Sequence, residues 1–340
     1  MTEHPPSQIT LLSLGGTIAS TRSPDGSEGA VPGLGALDLL ATATGHLVDV
    51  AVTARDLRLL PSSALTFDDV LEVASAVNAE FAAGVGGVVV TQGTDTIEEM
   101  SFALDLLICD ERPVVVTGAM RTPAEAGPDG PANVLAALSV AASPQARGLG
   151  CVVVMNDQIH AARFVRKSHT TSPGAFTSPT CGPIGWVAEG RVRVVLRPGA
   201  LATRPGPILG PVPPVAIVTM ALGDDGRMLD AVTSSGYAGL VVEAFGAGHV
   251  PGSSVARLAR VAAEVPTVLA SRTGAGAVLD GTYGFSGSEG ELLAAGLISA
   301  GSLDARKSRI VLSLLLASGA ERGDIVRTFA ALDGGGEQSA

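Results

Sequence analysis

Three short segments of this 340-residue chain follow apolar runs and set side chains that could do chemistry beside small residues. These are Gly15-Gly16-Thr17-Ile18-Ala19, Gln92-Gly93-Thr94-Asp95-Thr96 and Gly118-Ala119-Met120-Arg121. Each follows an apolar, β-branched run and joins small residues, over which a ligand can approach the backbone, to hydroxyl or charged groups. Two segments set a threonine beside a glycine, Thr17 and Thr94, and Asp95 adds a carboxylate. A threonine hydroxyl becomes a nucleophile only when a base or a field helps it lose its proton. A partly buried lysine amine can accept that proton, whereas arginine stays charged and cannot. Lysine is scarce here: of the 22 basic residues, all are arginine except Lys167 and Lys307.

Other chemistries are excluded by spacing. No G-x-x-x-x-G-K-[ST] loop and no G-x-G-x-x-G after a strand is present, so phosphate and dinucleotide cradles are not expected. No G-x-S-x-G elbow occurs. No His, Cys or Glu grouping has ligand spacing, so neither a metal nor another cofactor is expected. Cys109, Cys151 and Cys181 are odd in number and widely spaced, and read as buried free thiols in a reducing cytoplasm. The 22 Lys and Arg against 33 Asp and Glu give a net charge of −11, a poor match for nucleic acid. No run of about 18 apolar residues suits a membrane span, and residues 1–9 lack the features of a secretory signal.

The elements that must position the three segments are legible as alternation. Apolar runs at 9–14, 87–91, 113–117 and 151–155 read as strands buried on both faces of a parallel sheet. Between them lie helical patterns with start signals. Thr66 with Asp69 and Thr96 with Glu99 fit capping boxes, and Asp129 fits an N-cap with proline in the first turn. Residues 197–214 hold six prolines and read as an extended connector. The βα pattern then restarts, with strands at 215–220, 239–243 and 267–270 and helices near 253–263, 303–317 and 322–332. The expected class is α/β: a larger N-terminal domain, 1–196, with a mostly parallel sheet flanked by helices, the Pro-rich linker 197–214, and a smaller C-terminal α/β domain, 215–340. Ligands bind outside the carboxyl ends of such strands, where the three segments fall. The tail 334–340 reads as frayed.

Six segments resemble the bacterial-type L-asparaginase (asparaginase/glutaminase) family, in order and across about residues 9–332: LSLGGTIAST (12–21), VVVTQGTDTIEEMSFALDLL (88–107), VVVTGAMRTPAEAGPDGPANVLAALSVA (114–141), VRKSHTTSPGAFTSPTCGPIGW (165–186), EAFGAGHVP (243–251) and ASRTGAGAV (270–278). The resemblance implies hydrolysis of L-asparagine to L-aspartate and ammonia through a threonine-bound acyl-enzyme, with slower glutamine hydrolysis as a minor activity. It implies Thr17 as primary nucleophile and Thr94, Lys167 and Asp95 as a second triad. Ser62 would grip the substrate α-carboxylate, Asp95 the α-ammonium, and Ser63 would add a polar contact. Gly16 and Gly93 line the same site, and backbone N–H groups of Gly16 and Thr94 are natural oxyanion donors. A homodimer or homotetramer is implied as well.

The chain departs from the family pattern in places. The loop 20–31 carries no tyrosine to activate Thr17; the only tyrosines are Tyr237 and Tyr283. Either Tyr283 or another group substitutes, or Thr17 is activated differently, or activity is low. Gln92 stands where many members have His, and Ala247 where a neighbouring-subunit asparagine is expected. Pro24, Gly26 and Gly29 suit a loop that orders on substrate. Plainer roles stand beside the catalytic ones: Thr17 as a turn hydroxyl, Asp95 as a helix cap, Ser62 and Ser63 as a turn after Pro61. Lys307 reads as a surface residue, Arg121 as a partner of Glu125 or Asp129, and His249 as a loop, substrate-site or intersubunit group. A second function class is a catalytically weak homologue that binds an acidic amino acid as a sensor or structural subunit. A third, a subunit acting on misacylated tRNA, wants a basic surface that the net charge of −11 opposes.

Overall fold

The computed structural model describes residues 7–22, 30–41 and 50–333. The expectations for residues 23–29 of the loop, for the first six residues and for the tail 334–340 lie outside the described residues. The chain divides into two units, with the boundary at residues 200 and 201. That boundary falls inside the Pro-rich stretch. Part of the stretch is pinned, since the Leu209 N–H donates to the Ala317 carbonyl at 2.9 Å within the second unit.

The first unit runs β1 (Ser7–Ser13), β2 (Ser20–Arg22), β3 (Ala30–Pro32), α1 (Ala36–Ala41), β4 (Val50–Asp56), α2 (Phe67–Ala82), β5 (Gly87–Thr91), α3 (Ile97–Leu107), β6 (Val114–Thr117), α4 (Gly130–Ala142) and β7 (Cys151–Met155). It continues through β8 (Gln158–Ala161), β9 (Arg166–Lys167), β10 (Phe176–Thr177), β11 (Gly185–Ala188) and β12 (Arg191–Val194). The main sheet has the order β12-β11-β8-β7-β6-β5-β1-β4. Its β4, β1, β5, β6 and β7 are parallel, and β8, β11 and β12 extend it antiparallel. Every residue of β5, β6 and β7 is buried, as unbroken apolar runs require when helices cover both faces. Val89, Val115, Val152 and Val154 share one core cluster with Val134, Ala137, Leu138 and Ala141 of α4. Strand alternation turns Val88 and Val90 to the opposite face, where α2 and α3 lie.

The second unit contains β13 (Val215–Thr219), α5 (Asp230–Ser234), β14 (Gly239–Ala244), α6 (Val255–Glu264), β15 (Thr267–Ser271), α7 (Glu289–Ala294), β16 (Ile298–Ser299), α8 (Ala305–Ala317) and α9 (Arg322–Leu332). Its sheet, β13-β14-β15-β16, is wholly parallel. A larger unit with a mostly parallel, helix-flanked sheet and a smaller α/β unit is the architecture expected from the alternation.

Local expectations met different outcomes. The Thr66 box forms: the Asp69 N–H donates to Thr66 Oγ1, and Asp69 Oδ2 accepts from the Thr66 N–H at 2.8 Å. The Thr96 box does not form, because the Thr96 hydroxyl donates to the Ser62 carbonyl at 3.2 Å and leaves α3 without a side-chain cap. Asp129 precedes α4, yet its carboxylate accepts from the N–H groups of Met120 and Arg121 instead of capping the helix. Arg121 therefore meets Asp129 through its backbone, and its guanidinium donates to the Gly127 carbonyl. Lys307 is not at the surface. It is 2% exposed, in the first turn of α8, with its amine 3.2 Å from the Asp304 carboxylate. Of the three cysteines only Cys151 is buried; Cys109 and Cys181 are exposed.

Candidate active site

Three loops meet at the carboxyl ends of β1, β4 and β5. Beyond β1, the Leu14 N–H donates to the Thr91 carbonyl at 2.8 Å, so the two strands stay in register as they end. Gly16 then adopts φ +88°, in the left-handed region that glycine alone enters freely. A Cβ on Gly16 would lie 2.0 Å from the Gly93 nitrogen, so the backbones before Thr17 and Thr94 touch. The third loop comes from β4: the Leu60 N–H donates to the Leu14 carbonyl at 3.0 Å, and a 3-10 turn, Ser62–Ala64, follows Pro61. A Cβ on Gly93 would lie 2.6 Å from Ser62 Oγ, which makes glycine necessary there for a second reason, close approach.

On this frame the polar groups converge. Ser62 is buried, and its Oγ accepts from the Asp95 N–H at 3.3 Å. That leaves the Ser62 proton available to an anion. The amine of Lys167, on β9, donates to Thr94 Oγ1 at 2.9 Å and to Asp95 Oδ1 at 2.7 Å. Thr94 is buried, the Lys167 side chain is 16% exposed and the Asp95 side chain 68%. The ion pair is thus more buried at the lysine than at the carboxylate, and among the described residues the second Asp95 oxygen has no hydrogen-bond partner. Thr17 is half-buried, and its hydroxyl has no hydrogen-bond partner among the described residues. Ser63 shares the turn of Ser62 but is exposed.

Several groups that hold this cluster carried no assigned role in the sequence. Gln92, fully buried, donates to the Gly93 carbonyl and to Thr96 Oγ1, both at 3.2 Å, and so braces the turn bearing Thr94. Asn133 donates to the Gly118 carbonyl at 2.9 Å and accepts from the Asn156 N–H, tying the loop after β6 to the β7–β8 turn. Glu98 accepts from the Lys167 N–H at 2.9 Å. His160 on β8 is fully buried and shares a 2.9 Å hydrogen bond with Ser178, just beyond β10. Burial lowers the His160 pKa to about 4, so the imidazole is neutral at physiological pH. Position signals Gln92, just after a strand end, and Glu98 and Asn133, in the first turn of a helix, whereas His160 lies within β8 and carries no such signal.

His249 lies in the second unit, where its Nε2 is 3.1 Å from the buried Glu289 carboxylate and its ring packs edge-on to Tyr283 and Phe285. Burial pushes the Glu289 carboxyl up, but donation from the N–H groups of Tyr283 and Thr282 and from His249 outweighs it and holds the group below its usual range. Among the described residues, no group of three or more His, Cys, Asp or Glu could hold a metal ion. Nor is any described helix long and apolar enough to cross a membrane.

Fold and cluster together define an α/β enzyme whose parallel sheet presents threonine and carboxylate groups at its carboxyl edge, with the Lys167 amine reaching them from the separate β9–β10 pair. The chain belongs to the asparaginase family. Residues 8–199 match the family model "Asparaginase, N-terminal", and residues 214–329 match "Glutaminase/Asparaginase C-terminal domain". The chain is 38% identical over 336 residues to a probable L-asparaginase of Deinococcus radiodurans, covering 95% of this chain and 97% of that protein. It is 33% identical over 314 residues to an L-asparaginase of Bacillus licheniformis, covering 92% and 96%. Among solved structures, a probable cytoplasmic L-asparaginase from Campylobacter jejuni superposes with a TM-score of 0.86 at 29% identity, covering 96% of this chain and 99% of that one.

Proposed function

We propose that this protein hydrolyses L-asparagine to L-aspartate and ammonia through an ester formed on Thr17. The observation that carries the reading is the Lys167 amine, which reaches Thr94 Oγ1 and Asp95 Oδ1 at once. A free amino acid fits the groups around it. The Ser62 hydroxyl offers a proton to the α-carboxylate, Ser63 extends the same polar turn, and the outer oxygen of Asp95 meets the α-ammonium. A substrate without that ammonium would leave Asp95 unpaired, which gives selectivity for free amino acids over side-chain amides in proteins.

The Thr17 oxygen attacks the side-chain amide carbon, and the charge that develops on the amide oxygen faces backbone N–H groups at Gly16 and Thr94. With the Lys167 amine in its neutral form, the Thr17 proton passes to the Thr94–Lys167 pair and on to the departing nitrogen, which leaves as ammonia. Water then attacks the ester. Its proton returns through the same pair to the Thr17 oxygen as aspartate leaves. Every proton taken in the first half is given back by the end of the second, and no cofactor is needed. Asp95 keeps the amine aimed at Thr94 throughout.

An ammonia-coupled assay over L-asparagine, D-asparagine and L-glutamine tests this. Ammonia release from L-asparagine, lost in Thr17→Ala and in Thr94→Ala, is the expected result. Wild-type protein that releases none above background refutes the reading, and tight aspartate binding without turnover would replace it with an acidic-amino-acid sensor. We place the enzyme in the cytoplasm, a reading supported by three unpaired thiols. We also infer a homodimer or homotetramer. The exposed Leu279, Tyr283 and Phe285 offer an apolar surface for a second copy, and light scattering after gel filtration measures the assembly.

A further inference from the structure

We propose that Glu98 is a positioning residue for the reaction: its carboxylate sets the register between Lys167 and Thr94. The inference rests on the reading of Lys167 as the proton acceptor. Lysine is a poor candidate for precise placement, since its stem has four rotatable bonds and loses about 2 kcal/mol of rotamer freedom when fixed. The strand that bears it does little to help. β9 is two residues long and, among the described residues, pairs only with the equally short β10. The Lys167 N–H donates to Glu98 Oε2 at 2.9 Å.

One rigid segment therefore grips the lysine at both ends. Thr94 and Asp95 hold the amine from the 3-10 turn Thr94–Thr96, and Glu98 holds the backbone nitrogen from the first turn of α3, which continues that turn. The spacing of four residues between Thr94 and Glu98 is translated into the reach of one extended lysine. Burial supports a dedicated role. Glu98 is 5% exposed, and a carboxylate in that setting is costly unless donors meet it. Its place in the first turn of α3, at the positive end of the helix dipole, offsets part of that cost. The acceptor on the Lys167 N–H is thus a fixed group, whereas an exposed loop would offer only water.

The experiment compares Glu98→Gln, whose amide oxygen still accepts, with Glu98→Leu, which keeps the bulk and removes the acceptor. Both are assayed for ammonia release. Both are also labelled with [ε-13C]lysine for NMR, where two lysines give two signals and the buried Lys307 reports on the fold. In Glu98→Gln, kcat should stay within threefold of wild type. In Glu98→Leu, kcat should fall about 100-fold, the scale of a 1 Å misplacement, while KM changes less than threefold. The Lys167 signal should move only in Glu98→Leu, with the Lys307 signal unchanged. Wild-type kcat in Glu98→Leu overturns the proposal. So does equal loss in both variants, or a Lys307 signal that moves with that of Lys167. If wild-type protein releases no ammonia, the functional reading falls, and the two NMR signals still decide whether Glu98 fixes Lys167.

Discussion

At the scale of the residue, the argument turns on what only one side chain can do. Lys167 forms its ion pair with Asp95 through a group that arginine could imitate electrostatically, since both are cations that hydrogen-bond to carboxylates. If charge alone mattered, Lys167→Arg would keep most activity. The proposed chemistry needs an amine that accepts and returns a proton, and arginine cannot release one at any working pH. Lys167→Arg should therefore lose about 100-fold or more in kcat, close to Lys167→Met, in the ammonia assay. A different kind of constraint acts at Gly16. Alanine there must occupy φ +88° and put its Cβ 2.0 Å from the Gly93 nitrogen, a backbone atom that cannot swing aside. Gly16→Ala should destabilise the fold by about 3 kcal/mol, read as a lower urea midpoint, and also displace Thr17 and Thr94 from each other.

At the scale of the element, the site depends on loops held by helix starts. The Thr66 box begins α2 just after the Ser62 turn, and Arg58 joins it from the other side, donating to Asp69 Oδ1 at 2.9 Å. Thr66→Ala removes the hydroxyl that faces the Asp69 N–H and should cost about 1 kcal/mol by urea unfolding. Because Arg58 still anchors Asp69, kcat should fall less than stability implies. How much of this was legible depends on how local the cause is. The runs around β5, β6 and β7 declared themselves, because strands buried on both faces are apolar throughout. β4, with its alternation of half-buried and exposed residues, and the short β9 and β10 owe their strand form to neighbours distant in sequence, and composition does not announce them. Residue type and motif order single out Thr17, Thr94, Asp95 and Lys167 as candidates. The structure brings Thr94, Asp95 and Lys167 into direct contact and sets the backbone before Thr17 against Gly93. Thr96 misled because the same hydroxyl that could cap α3 is closer to the Ser62 carbonyl, a contact that exists only once β4 and β5 are in place.

At the scale of the whole molecule, pH exposes which buried groups the fold depends on. Two classes act in separate windows. Asp69 is pushed up by burial, but hydrogen bonds from Thr66 and from Arg58 outweigh that and lower its pKa. Its stabilising contribution is present above the ordinary carboxylate range and is lost as pH falls through the folded value. His160 works earlier in an acid titration. Its folded pKa of about 4 lies below the unfolded value near 6.5, so between the two the unfolded chain binds the proton and the folded chain does not. Stability is whole above 6.5 and declines as pH falls toward 4. The total is about 3 kcal/mol, from roughly 2.5 units at 1.36 kcal/mol each. Urea unfolding of wild type across pH 7 to 4 should show that slope. His160→Gln, which cannot titrate yet can still hydrogen-bond Ser178, should flatten it between pH 6.5 and 4 and leave the steeper carboxylate-driven loss below pH 4 in place. Should the variant keep the wild-type slope in the upper window, the titrating group is another one. Should it flatten both windows, the two classes are coupled through the fold.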